Sequence, residues 1–291
     1  MEEPQAVLVR FALYSLLGLL FGLMVARRLV FNVGEDRQGT NRLAVLAACA
    51  ILCSAVGLAD LAARMHGLPL ARVGTAEVAM ILSLPGLGAA IVVRFLALGA
   101  AFVLLCLGRE RLAVAGAGVA LVTLAWQGHA AAGEGQLGFA HLLATMAHLL
   151  AAAIWLGALA AFSKASAQAV NVPGGRPALG AALNRFHWLG GLVVAVLVLS
   201  GGTAFMAIVG WPLPASAFGS AWLWLLALKL LFVLAMLAMA AANRFWLVPG
   251  LSSGHHRAWH RVRTSLALEL SLAFVILALV AWLGLLAPDQ G

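Results

Sequence analysis

Three histidines near the middle of the chain, His129, His141 and His148, have the residue type and spacing best suited to metal chemistry. Neutral imidazole is a common ligand of copper and zinc. On a helix over residues 137–162, His141 and His148 lie about 10 Å apart along the axis. Metal–nitrogen bonds are only about 2 Å long, so these two histidines can hardly bind one ion. We therefore expect one of them to join His129 in a metal site, and the other to serve a second site or step.

Side chains that could act as softer metal ligands are expected on the same side of the molecule as the three histidines. Thioether sulfur selects Cu(I), and imidazole also suits copper. The sequence thus favours Cu(I) over Cu(II). The alternative is that the histidines only form hydrogen bonds within a helix bundle. The possible additional ligands are Met146, Met65, His66, Glu77 and Met80.

Two cations, Arg94 and Lys229, lie inside apolar segments. Ionisable groups in lipid are costly and need anionic or carbonyl partners, so each marks either a transport pathway or a structural ion pair. The acids available on the expected outer side are Asp60, Glu77 and Glu134.

Glu269 lies about two helical turns inside the last apolar segment. Asn243, Arg244 and Arg185 are expected at the same depth. A charge-assisted structural clamp is favoured over a transport role. Loss of Glu269 is therefore expected to harm folding more than metal binding, because a cation would lose its partner.

Two further pairs have spacings that would suit metal binding. Cys49 and Cys53 lie four residues apart, on one face of a helix, but buried cysteine is usually a small apolar filler. His256 and His260 are also four residues apart. The basic residues around them repel cations, which favours a solvated loop instead.

The composition sets the class of protein that must position these groups. Of 291 residues, 64% are hydrophobic and 10% are charged, and the mean hydropathy is +1.04. Soluble domains carry about 25% charged residues, so this chain is not soluble. Three cysteines form no disulfide framework. In a membrane protein the net charge of +8 indicates sorted arginines and no nucleic-acid partner.

The apolar segments predict a single membrane domain over residues 1–291, an all-α polytopic bundle of about eight transmembrane helices. The short stretch 75–84 stops before Pro85 and is expected to be interfacial or re-entrant. The start Met1-Glu2-Glu3-Pro4 lacks the basic region of a signal peptide, so we expect the first segment to be retained. The spans are expected near residues 6–31, 42–63, 86–107, 111–127, 137–162, 186–210, 219–247 and 264–286.

The distribution of basic residues predicts the orientation of this bundle. Alternate loops carry thirteen lysines and arginines on one side and three on the other. Cytoplasmic loops are enriched in these residues, so both termini are expected to be periplasmic. The three histidines then lie on the periplasmic half.

The chain resembles the copper resistance protein D family. The resemblance covers about residues 125–287, and within it 185–287 matches the family's C-terminal membrane portion. Met146 stands where an aspartate would be expected, and Phe218 where a tyrosine would be. The matching residues are Trp126-Gln127-Gly128-His129, His148, Trp155-Leu156-Gly157, Arg185-Phe186, Gly201-Gly202, Gly219, Lys229, Asn243-Arg244, Pro249 and Glu269.

The resemblance implies a multi-pass copper-handling protein of the bacterial inner membrane, with His129 and His148 as the family-matching ligands. The sequence contains no P-loop, Gly-x-Ser-x-Gly or His-Glu-x-x-His motif, so we expect no enzyme activity. Copper transport is the leading hypothesis. The alternatives are a b-type haem redox protein and a non-transporting scaffold that delivers copper to an oxidase or to a periplasmic partner. The possible partner is a periplasmic copper-binding protein.

Overall fold

The fold is built from helices throughout the part of the chain that the structure describes. This computed structural model describes residues 4–32, 36–128, 135–169, 174–209, 220–247 and 256–286. Those residues contain no β-strand, which confirms the predicted all-α polytopic class. They form the α-helices α1 Pro4–Val25, α2 Arg37–His66, α3 Thr75–Ser83, α4 Leu87–Cys106, α5 Glu110–Val122, α6 Gly135–Gln168, α7 Gly175–Val209, α8 Ala221–Ala242 and α9 His256–Leu283.

Seven of these helices are long and apolar enough to cross a membrane, namely α1, α2, α4, α6, α7, α8 and α9. The short α5 has 13 residues and continues as a 3-10 helix over Thr123–Gln127. At about 1.5 Å and 2.0 Å per residue, the two pieces together extend about 30 Å, the thickness of a hydrocarbon core. The predicted span at 111–127 is thus present as a composite helix.

Contacts at its two ends show that this composite helix crosses the bundle. At its start, Glu110 accepts a hydrogen bond from Arg27 Nε, 3.1 Å away near the end of α1. At its other end, Trp126 lies against Gly86, just before α4 begins. Since α4 runs in the opposite direction, α4 and α5 form an antiparallel pair.

The first helix is the centre of the bundle. It packs against α2, α5, α6 and α9. Gly22 allows the closest approach, because a Cβ there would collide with the backbone of Ala153 in α6. A Cβ at Gly157 would collide with the backbone of Gly22 in turn. Gly22 and Gly157 therefore allow α1 and α6 to pack backbone against backbone.

Several basic residues form contacts at one end of the bundle. Arg27 pairs with Asp36 at 3.2 Å as well as with Glu110. The Gly39 N–H and Arg27 lower the pKa of Asp36 by hydrogen bonding, so its carboxylate stays charged at neutral pH. Arg176 at the start of α7 stacks over Trp259 in α9 at 5.4 Å. We refer to this end as the basic end.

At the opposite end, Arg10 donates a hydrogen bond to the carbonyl oxygen of Gly284. The beginning of α1 and the end of α9 therefore lie on the same side of the bundle. The stretch 75–84 forms α3, which packs against α2 and α4.

Candidate functional site

His148 lies between α6 and α7, with a hydrogen-bond partner that fixes its tautomer. Its Nδ1 lies 2.9 Å from Ser200 Oγ, and that hydroxyl donates to the Val196 carbonyl at 2.5 Å. Because the hydroxyl proton is used in that bond, Nδ1 must carry the hydrogen and donate it to Ser200. The Nε2 lone pair is then available to a metal ion, as in histidine ligands whose other nitrogen is held by a neighbouring group.

Lys229 on α8 lies near enough to His148 for the two groups to interact electrostatically. No hydrogen bond or ion pair of Lys229 is found among the described residues, so the predicted ion pair is not seen for this cation. An ammonium group next to His148 opposes a second cation there through Coulomb repulsion.

His141 is buried on α6, two helical turns before His148, and its carbonyl oxygen accepts a 2.9 Å hydrogen bond from the Thr145 hydroxyl. Met146 is half-buried on the same helix. His129 and Glu134 lie outside the described residues, so the predicted pairing of His129 with a histidine of α6 stays a prediction.

A second group forms where α2 ends and α3 begins. His66 Nε2 lies 3.1 Å from Met80 Sδ. Glu77 lies one turn before Met80 and interacts electrostatically with His66. The neighbouring Met65 side chain is 57% exposed. The structure therefore brings His66 and Met80 together. These two helices pack against α1 and α4, whereas His148 lies between α6 and α7.

Within the described residues, no further metal ligand lies beside the Cys49/Cys53 pair or the His256/His260 pair. Cys49 is exposed, and Cys53 packs against the core around α1, as a filler would. The His260 side chain is exposed, and that of His256 is outside the described side chains. The described residues hold no cluster of three or more His, Cys, Asp or Glu that suits a metal ion.

Of the three partners expected for Glu269, Asn243 bonds to it, whereas neither arginine contacts it among the described residues. This carboxylate is 2% exposed and accepts hydrogen bonds from Asn243 Nδ2 and, at 3.2 Å, from Ser265 Oγ. Its partners among the residues that the structure describes are therefore neutral. Arg244 instead stacks over Phe245 at 5.0 Å.

The other arginine expected at this clamp is held elsewhere. Arg185 Nε donates to the Val30 carbonyl at 2.6 Å. Backbone carbonyls at helix ends lack intrahelical partners, which explains why Val30 attracts this guanidinium.

No ion pair of Arg94 is found among the described residues, and Glu134, one of the acids expected near it, lies outside them. Arg94 is 2% exposed, and its Nε donates to Thr123 Oγ1 at 2.8 Å, while one terminal nitrogen has no partner among the described atoms. Asp60, a predicted partner, instead pairs with Arg64 at 3.0 Å.

A cavity of about 380 Å³ opens beside Glu269 toward the basic end. Trp155 of α6 lines it, two helical turns beyond His148, with its indole N–H unpaired among the described residues. The Oδ1 atom of Asn243 is also unpaired there.

The sequence did not predict the contact of Ser200 with His148, nor this cavity. A serine inside an apolar helix was the available signal for Ser200, but nothing local pointed to the cavity, which four helices form together.

Comparisons with known proteins place the chain in one family. A family model described as "Copper resistance protein D" matches residues 180–283, and one described as "Copper resistance protein D-like, N-terminal domain" matches residues 1–139. Copper resistance protein D of Pseudomonas syringae pv. tomato is 34% identical, over 100% of this chain and 99% of its own. Inner membrane protein YebZ of Escherichia coli (strain K12) is 32% identical, over 57% of this chain and 56% of its own. No solved structure matches.

Proposed function

Because the chain belongs to the copper resistance protein D family, we propose that it transports copper across the bacterial inner membrane. Family membership supports copper handling, and the long apolar helices support a place in the bilayer. A relative named as an inner membrane protein supports that location. Copper is the cargo, in the Cu(I) state, and the proposal includes no enzymatic reaction.

The observation that carries the proposal is the hydrogen bond between His148 and Ser200. It leaves the Nε2 lone pair of an intramembrane imidazole free, which is the form that binds metal. His148, with His129 or His141, is the proposed ligand set. Lys229 weakens cation binding at His148, which suits a transport route, because an ion on such a route must leave as well as enter.

The proposed route follows one face of α6. Copper enters near His129 and His141, reaches His148, and passes toward the cavity that Trp155 and Glu269 line. Unpaired polar atoms on Asn243 and Trp155 offer transient partners inside this cavity. With the basic end in the cytoplasm, this direction is inward, and a periplasmic copper-binding protein is the proposed donor.

Copper flux into proteoliposomes tests the proposal. His148→Ala should abolish flux, whereas His260→Ala, which removes an exposed histidine at the basic end, should not. Ser200→Ala should weaken copper affinity by about 10–100-fold, because it removes the group that orients the ligand.

Three results would contradict the proposal. Flux that survives in His148→Ala would remove this residue from the route. Copper binding without any flux would indicate a delivery scaffold. A Soret absorption band that disappears in His148→Ala would indicate a b-type haem protein instead.

A further inference from the structure

An imidazole and a thioether face each other on the outside of the molecule, at the end of α2. His66 Nε2 and Met80 Sδ are 3.1 Å apart, and the Met80 side chain is 57% exposed. Neither residue contacts the His148 region through its own helices, because α2 and α3 pack against α1 and α4. The Met80 side chain is therefore open to solvent, and the pair is separate from His148.

The backbone around this pair is well defined. His66 is the last residue of α2, which ends because Gly67 adopts a left-handed conformation with φ of 63°. Ala62, Ile81 and Ile91 form a small buried cluster that holds α3 against α2 and α4. Ile81 follows Met80 in the chain, and the Ala62 carbonyl bonds to His66, so helix packing sets how far apart the backbones of the two ligands lie.

Hydrogen bonding fixes the tautomer of His66. Its Nδ1 lies 2.9 Å from the carbonyl oxygen of Ala62. A carbonyl oxygen only accepts, so Nδ1 carries the hydrogen and Nε2 of the neutral ring bears a lone pair. That lone pair faces the sulfur lone pairs of Met80. Two lone pairs at this distance repel each other unless a proton or a cation lies between them.

The ligand types select the cation. Imidazole suits several transition metals, but thioether sulfur narrows the choice to a soft ion, and copper as Cu(I) satisfies both. With metal–nitrogen and metal–sulfur bonds of about 2.0 Å and 2.3 Å, an ion fits between the two atoms at an angle of roughly 90°. The exposed, flexible Met80 side chain can open this angle by a shift of under about 1 Å.

The surrounding charge also favours a cation. Hydrogen bonds from its own N–H and from the Gly74 N–H lower the pKa of Glu77, so this carboxylate near His66 stays ionised. The nearby cation Arg64 is neutralised by Asp60, 3.0 Å away. Asp60 therefore offsets the positive charge that Arg64 would otherwise place near His66.

We propose that His66 and Met80 form a surface binding site for Cu(I), with Glu77 supplying negative charge beside it. This site goes beyond the proposed function, because it holds copper whether or not copper crosses the membrane. In the protein it collects the ion at the outer surface.

The test uses the full chain in lipid nanodiscs with His148→Ala as the background, under anaerobic conditions, titrated with Cu(I) against a chromogenic chelator. Met80→Leu should lower the affinity for the first copper at least tenfold and remove the sulfur signal from the copper X-ray absorption spectrum. Met206→Leu is the matched control, since Met206 is 52% exposed on α7, away from the pair. It should change neither.

His66→Gln should weaken binding as Met80→Leu does, and Met80→Leu should unfold at the temperature of the background protein because the Met80 side chain is exposed. Equal affinities and equal sulfur signals in Met80→Leu and Met206→Leu would overturn the site. Because the background lacks His148, that failure would leave the transport proposal untouched, and loss of flux alone would leave this site untouched.

Discussion

At the scale of single residues, Glu269 shows how a buried carboxylate can be held without a counter-ion. Asn243 and Ser265 both donate to the same oxygen, Oε1. An amide oxygen at that position would accept the same two hydrogen bonds. The geometry therefore depends on an acceptor atom and not on a negative charge.

This distinction predicts different results for two substitutions. Glu269→Gln should leave the stability nearly unchanged, because both donors keep an acceptor. Glu269→Ala should lower the free energy of unfolding by about 1–3 kcal/mol, because the buried Asn243 amide loses its partner. Thermal unfolding in detergent measures both, and copper binding should suffer less than folding in the alanine variant.

The opposite pattern would restore the ion-pair interpretation. If Glu269→Gln destabilised the protein as much as Glu269→Ala, the negative charge itself would matter. Arg244→Gln would then cause a similar loss, whereas the observed stacking of Arg244 over Phe245 predicts little change.

Residue types and depth predicted where the polar groups lie, but not what they bond to. His148 was identified from its depth and from the family motif. Its partner Ser200 lies 52 residues away, and only the packing of α6 on α7 brings the two together. The same limit applies to Arg94: an anionic or carbonyl partner was expected, but its Nε donates to the hydroxyl of Thr123, 29 residues away, where α5 passes into the 3-10 helix.

At the scale of helices, the contact between α1 and α6 depends on two glycines. Gly22 and Gly157 meet backbone to backbone, so neither position has room for a methyl group. The Trp155-Leu156-Gly157 motif thus combines a cavity-lining side chain with a packing requirement on the opposite side of the same turn.

Gly157→Ala should therefore destabilise the bundle by about 1–3 kcal/mol or more, the usual cost of overpacking. Gly99→Ala is the matched control, since a Cβ at that helical glycine meets no atom within 4 Å. It should be neutral or slightly stabilising, because alanine is the better helix former. Thermal unfolding of both variants checks this, and equal midpoints would mean that α1 and α6 can move apart at little cost.

Hydropathy predicted most of the helices. It did not predict the internal structure of the composite helix that α5 and the following 3-10 helix form. The apolar run at 111–127 indicated one more span, but composition cannot reveal that its last turn narrows to a 3-10 helix at Thr123. That change depends on a side-chain bond to the Ala120 carbonyl and on the guanidinium of Arg94 across the interface.

At the scale of the whole molecule, the basic residues predict a topology that a reporter can test. Contacts place the start of α1 and the end of α9 on one side, away from the basic end. With the basic end in the cytoplasm, a fluorescent protein fused after Gly291 should stay dark, and alkaline phosphatase at the same position should be active. A bright fluorescent fusion would reverse the orientation and place the histidines on the cytoplasmic half.

The contact between α1 and α9 also affects the order in which helix surfaces are covered during synthesis. The face of α1 that packs against α9 stays exposed to lipid or to a chaperone until α9 leaves the ribosome. The helix at the centre of the bundle is therefore fully enclosed only after α9 has entered the membrane, late in synthesis.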